Sequence, residues 1–101
     1  MQTNLVKADG KATIRLTGRF DFNSHREFRE CVDGALQDAD AKEVVVDLAA
    51  VDYLDSSALG MLLMLRDKAR AAGKTTTLSN CRGAVKQVLD IANFGKLFQI
   101  A

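Results

Sequence analysis

Two carboxylates and two serine hydroxyls stand together in Asp52-Tyr53-Leu54-Asp55-Ser56-Ser57, immediately ahead of the apolar run from Ala58 to Leu65. A serine nucleophile needs a base beside it. The only histidine is His25, and Asp55-Ser56-Ser57-Ala58-Leu59-Gly60 has neither the leading glycine nor the Ser-x-Gly spacing of a nucleophile elbow. Nucleophile, base and oxyanion donors cannot be assembled from these residues, so no catalytic role is expected. His25 reads as a first-turn surface residue. Asp55 is well placed to cap a helix by accepting from the amides of Ser57 or Ala58, and cap statistics alone make Ser56 and Ser57 ordinary first-turn residues.

Other chemistry-bearing stretches fall away on spacing. Ala71-Ala72-Gly73-Lys74-Thr75 shares Gly-Lys-Thr with a phosphate-binding P-loop. That motif needs a glycine where Lys68 stands, and it opens a helix, whereas Gly73 follows one. Asp47, ending Val44-Val45-Val46-Asp47, sits where response-regulator receivers carry a phosphoacceptor. The acidic pair such domains need after the first strand is absent, and Asp47 reads as a loop or cap carboxylate. Cys31 and Cys81 have no metal-ligand or CxxC spacing and are expected to be small buried hydrophobes. No cofactor and no metal is implied.

The elements that must position Ser56 follow from hydrophobic period. Ala12, Ile14 and Leu16 alternate with Thr13, Arg15 and Thr17, and Leu5-Val6 precede Asp9-Gly10, which predicts an antiparallel hairpin over 4–18. Ser24 and Glu27 have capping-box spacing, and Phe28, Cys31, Val32, Ala35 and Leu36 give a helical stripe over about 24–37. Residues 43–48, Glu-Val-Val-Val-Asp-Leu, predict a central strand covered on both faces. A helix over about 56–72 ends at Gly73, Lys74–Ser79 is a further strand, Val85, Val88, Leu89 and Ala92 mark a third helix, and Lys96–Ile100 is a possible short last strand. The fold class is α/β: one domain over 1–101, with a small mixed sheet of four to five strands, an N-terminal β-hairpin and helices packed on it.

At about 100° per residue, Ala58, Leu62, Leu65 and Ala69 share one stripe of the second helix, the natural face to bury. Ser56, Gly60, Leu63 and Asp67 lie opposite, flanked by Leu59 and Met64. Leu63 is therefore expected to point outward and to make, with Gly60 and Met64, an apolar ridge of the kind that marks a partner surface. The turn Asp21-Phe22-Asn23 follows another strand of the same sheet. Successive strand-to-helix loops open on one side, so it is expected to join Ser56 in that surface.

Fourteen Lys and Arg against 13 Asp and Glu, interspersed, leave no basic footprint for nucleic acid or an anionic membrane. The start, Met1–Lys11, lacks the apolar segment of a signal peptide, and Ala58–Leu65 is too short to span a bilayer. A cytoplasmic protein without membrane insertion is expected.

Val44–Leu65 closely resembles the signature of the STAS domain, in particular the stand-alone bacterial anti-sigma factor antagonists. Leu16-Thr17-Gly18-Arg19-Phe20-Asp21-Phe22 resembles the family's strand-to-helix segment, with Gly18 and Asp21 in register, and Ala84–Ile100 resembles its last helix and tail. The resemblance implies a partner switch. The unphosphorylated domain binds an anti-sigma factor that is also a serine kinase and thereby frees the sigma factor; phosphorylation of one serine ends the complex, and a metal-dependent serine phosphatase restores it. The family's acceptor maps onto Ser56, and Asp21, Asp55 and Ser57 match positions around the partner-binding edge. Arg19–Phe28 further resembles short proteobacterial members, which implies control of motility or biofilm formation. Ala58 departs from the family's usual glycine; alanine favours helix by about 1 kcal/mol and firms this first turn. A rival reading keeps the fold: a STAS regulatory subunit of a lipid or anion transporter, docking on its ATPase without phosphorylation.

Overall fold

A computed structural model describes residues Met1–Ala101. The chain runs β1 (Gln2–Ala8), β2 (Lys11–Phe20), a 3-10 turn (Phe22–Ser24), α1 (His25–Leu36), β3 (Glu43–Leu54), α2 (Ser56–Ala71), β4 (Thr75–Ser79), α3 (Gly83–Ile91), a second 3-10 turn (Phe94–Lys96) and β5 (Gln99–Ile100). The five strands lie in the order β1-β2-β3-β4-β5; β1 is antiparallel to β2 and the remaining neighbours are parallel. This is the mixed sheet with an N-terminal hairpin that the residue pattern predicts. Asp9 and Gly10 both have positive φ, 54° and 76°, the conformation of a two-residue turn whose twist matches its flanking strands.

Each crossover from β2 onward steps to the next strand in the same direction, and right-handed crossovers then put the helices on one side of the sheet. The core agrees: Ile14, Leu16, Val44, Val46 and Leu48 from the sheet form one cluster with Phe28 and Val32 of α1, Leu62 and Leu65 of α2, and Val85 and Leu89 of α3. The expectation that β3 is covered on both faces is corrected. Glu43, Val45 and Asp47 on its other face are only half-buried, and ion pairs Lys11–Glu43 (3.6 Å) and Arg15–Asp47 (3.8 Å) lie across that face. A β-branched run reads alike for one covered face or two, because valine suits either.

β3 also runs six residues beyond the predicted Leu48. Ala49, Ala50 and Asp52 are poor strand formers, and the extension is held by pairing with the end of β2, from Thr17↔Ala50 to Phe20↔Leu54. The ladder is irregular between Arg15 and Thr17 and again after Gly18, whose φ of +102° is one that side-chain-bearing residues rarely adopt. At its far end α2 stops in a Schellman motif, with Lys74 N donating to Ala69 O (2.8 Å), Gly73 N to Arg70 O (3.0 Å), and Gly73 at φ +74°.

Candidate functional site

The long β2–β3 pairing brings the two turns together. Phe20 and Leu54 are the last partners in the ladder, so Asp21 and Asp55 leave the sheet side by side, and Asp55 N donates to Phe20 O (3.3 Å). Each carboxylate then caps the element it precedes. Asp55 Oδ1 accepts from Ala58 N (3.0 Å) at the start of α2, and Leu59 N donates to Asp55 O (3.2 Å). The amides of Ser56 and Ser57, in the first turn, have no intrahelical acceptor and face outward from the helix end. Ser56 is exposed and Ser57 half-buried.

The Ser24–Glu27 capping box does not form. Ser24 is buried and already has helical dihedrals, and its hydroxyl donates to Arg19 O (2.9 Å) and accepts from Asp21 N (3.2 Å). The cap has moved three residues upstream: Asp21 Oδ1 accepts from Asn23 N (3.0 Å), and Asp21 and Ser24 cap the Phe22–Ser24 turn reciprocally. The physical reason is the extra 3-10 turn, which runs directly into α1 and makes Asp21 the first residue outside the continuous helical path. Within it Phe22 is 75% exposed, an unusual position for a phenyl ring, and Asn23 is exposed beside it.

The ridge expected on α2 needs correction. Ala58, Leu62, Leu65 and Ala69 are fully buried as the helical wheel requires, and Met61 joins them. Ser56, Gly60 and Asp67 are exposed. Leu63, expected to face outward, is half-buried and packs against the core, as do Leu59 and Met64. The wheel placed α2 against the sheet alone, but the helix is covered on both flanks. Arg66 Nε donates to Leu97 O (2.9 Å) in the C-terminal segment, and Lys68 Nζ lies 3.6 Å from Asp33 of α1. What remains open is a narrow strip along Ser56 and Gly60 with half-covered leucine and methionine at its sides. A Cβ built on Gly60 meets nothing within 4 Å, so a partner can approach the backbone there.

Two residues that sequence reasoning missed lie at the strand ends that lead into these turns. Arg19 and Tyr53 are register partners; the Arg19 guanidinium carbon stands 4.1 Å from the Tyr53 ring centroid, and Arg19 Nε is 3.6 Å from Asp21 Oδ2. Together they tie the end of β3 to the Asp21 turn. Their signal was the strand period itself, had it been followed past Leu48 to Tyr53.

The largest surface cleft, about 440 Å³, lies elsewhere, between Ala49–Asp52 and Arg82–Val85, and its walls carry no serine, cysteine or histidine. Cys31 and Cys81 are half-buried rather than enclosed, and burial is the main cause that pushes both thiols above their usual range, aided at Cys81 by Asp90. No helix is long and apolar enough to cross a membrane.

Comparisons with known proteins match the fold and identify the family. Residues 3–99 match the family model described as "Mlab, STAS domain", and the chain belongs to the STAS-domain family. A STAS-domain containing protein of Pseudomonas aeruginosa is 45% identical over 100 residues, covering 98% of this chain and 97% of that one. The anti-sigma F factor antagonist of Paenibacillus polymyxa is 24% identical over 100 residues, covering 99% and 86%. Among solved structures, the Bacillus cell fate determinant SpoIIAA in its phosphorylated form superposes with a TM-score of 0.74 at 20% identity, over 99% of this chain and 91% of that one. Named relatives in this family include anti-sigma factor antagonists, which are regulators.

Proposed function

We propose that this protein is an anti-sigma factor antagonist acting by partner switching in the cytoplasm, with Ser56 as its phosphoacceptor. The unphosphorylated form binds an anti-sigma factor that is also a serine kinase, and phosphorylation at Ser56 ends the complex until a metal-dependent serine phosphatase removes the group. The observation that carries this reading is the exposed Ser56 hydroxyl at the start of α2, one residue beyond a capping carboxylate that leaves the sheet beside Asp21. The docking face joins Asp21, Phe22 and Asn23 to Asp55, Ser56, Ser57 and Gly60, and the uncovered parts of Leu63 and Met64 complete it.

The electrostatics favour release without unfolding. A phosphoserine carries roughly −1.5 to −2 charge at neutral pH. At a helix N-terminus a negative charge is stabilised by about 0.3–1 kcal/mol through the dipole and free amides, so the domain holds its shape. Against a docked partner the same group must shed water next to Asp55 and Asp21, and that cost falls entirely on the complex. The phosphorylated form in which the Bacillus relative has been solved supports this reading.

The test incubates wild type, Ser56→Ala and Ser57→Ala with the kinase that co-purifies with the unphosphorylated protein and ATP, then maps the modified residue by mass spectrometry. One phosphate on wild type and on Ser57→Ala, with none on Ser56→Ala, is expected. Phosphate on Ser57 with Ser56 bare reverses the assignment. An ATPase partner that leaves both serines unmodified favours the transporter-regulator reading.

A further inference from the structure

The two edges of the sheet are built differently. β5 is only two residues long, and such shortness keeps an edge from recruiting another strand. β1 stands at the other edge, in unbroken register with β2 over all seven residues from Gln2 to Ala8. It carries no proline and a single charge, Lys7. Its outer row of backbone donors and acceptors is therefore an open template for a further strand. We propose that this edge is a self-association surface: two copies of the chain pair antiparallel through β1 about a two-fold axis, with Lys7 of each copy meeting Glu27 of the other.

The helical layer fits that pairing. α1 packs on both β1 and β2, with Cys31 against Thr3 and Gly34 over Leu5, close enough that a Cβ on Gly34 would stand 3.2 Å from Leu5 Cδ2. Paired strands lie about 4.8 Å apart, and α1 sits astride β1 and β2, so a two-fold normal to the sheet sets the two α1 helices about 10 Å apart. That matches the spacing of packed helices, about 8–10 Å. The margin it closes is apolar. Met1, Leu5 and Cys31 are only part-buried at the rim of the core, and Val6, on the open face of the sheet, is 38% exposed. Asp33, ion-paired with Lys68, marks the flank of α1 that faces α2; Glu27, Cys31 and Gly34 lie on the other flank.

Charge identifies the occupant as a second copy. Lys7 is opposite Ala12, a core residue, so it points to the α1 side of the sheet. Neither Lys7 nor Glu27 has an ion pair within the chain. Because Cys31 meets Thr3 and Gly34 meets Leu5, α1 runs in the same direction as β1, and Glu27, about 6 Å before Cys31 at about 1.5 Å per residue, lies toward the Gln2 end. Lys7 is about 17 Å further along the strand, beyond reach of its own Glu27. An antiparallel second copy reverses that order and brings each Lys7 beside the start of the other β1, where the other Glu27 stands; symmetry makes the contact twice. The footprint is small. A strand about 24 Å long and one helix flank cover about 400 Å² per copy, half of the roughly 800 Å² of a standard interface, so the pairing is weak, with a Kd on the order of 0.1 mM.

Sedimentation velocity on the full chain from about 10 μM to about 1 mM reads the association. The weight-average mass is expected to climb from monomer toward dimer over that range. In NMR at the same concentrations, amides of residues 2–8 and 27–34 are expected to shift while those of 80–90 stay still. Lys7→Glu and Glu27→Lys should each weaken association by about tenfold or more, because like charges then meet twice, and the double variant, with the pair restored in reverse, should return to within about threefold of wild type. Both side chains are exposed, so the fold does not depend on either. A mass that stays monomeric at the highest concentration, shifts gathered on other residues, single variants that associate as wild type does, or a double variant no better than the singles overturns the proposal.

Discussion

Replacing Asp55 separates the two tasks assigned to it, holding the helix start and lending charge to the site. Its Oδ1 accepts one amide hydrogen bond, from Ala58 at 3.0 Å, and the chain on either side is fixed by Asp55 N on Phe20 O and by Leu59 N on Asp55 O. Asp55→Ala removes only the side-chain bond, and loss of such a cap costs about 1 kcal/mol, within a range of about 0.5–2. In a domain of 101 residues that lowers Tm by about 4–8 °C. Asp55→Asn keeps an oxygen in the same place without the charge, so its stability stays within about 0.5 kcal/mol of wild type. Urea denaturation of the three proteins measures this, and phosphate incorporation at Ser56 is read on the same samples. The alanine variant is expected to lose stability and phosphorylation together, because the first turn that presents Ser56 frays. An alanine variant with the same urea midpoint as wild type at equal m, a comparison that needs no extrapolation to water, refutes the capping argument.

Leu63→Asp is expected to lower the unfolding free energy, read as a fall in the urea midpoint, by about 1 kcal/mol or more, since roughly half of a leucine's burial, about 1.5–3 kcal/mol when complete, is lost and a carboxylate takes its place. An unchanged midpoint shows instead that the side chain points to solvent. Thr76→Val should be neutral or slightly stabilising, because the hydroxyl it removes is buried without a partner; a loss above about 1 kcal/mol in the same assay reveals a bond to Oγ1. Thiol chemistry gives a pH test: burial raises both cysteines, which leaves less thiolate at a given pH, so Cys31 and Cys81 in the folded protein should react with a disulfide reagent at pH 8 more slowly than in urea, with the gap narrowing as pH rises. Equal rates in the two states contradict that.

Period and punctuation made much of this protein legible without coordinates. Alternation around Ile14, the Asp9-Gly10 turn, the apolar stripe of Ala58, Leu62, Leu65 and Ala69, and Gly73 after the second helix are all local signals, readable because each depends on neighbours within a few residues. Asp55 as a cap belongs with them, since the accepting oxygen and donating amide are three residues apart. What the tertiary structure alone decided is the company each element keeps. The continuation of β3 through Ala49–Leu54 rests on pairing with Thr17–Phe20, some thirty residues earlier in the chain, and propensity argues against it. That pairing is what sets Asp21 beside Asp55 and lays Arg19 over Tyr53. Leu63 was misread for the same reason: a helical wheel supplies angles but not neighbours, and the flanks closed by Leu97 and Asp33 lie 34 and 30 positions away in sequence.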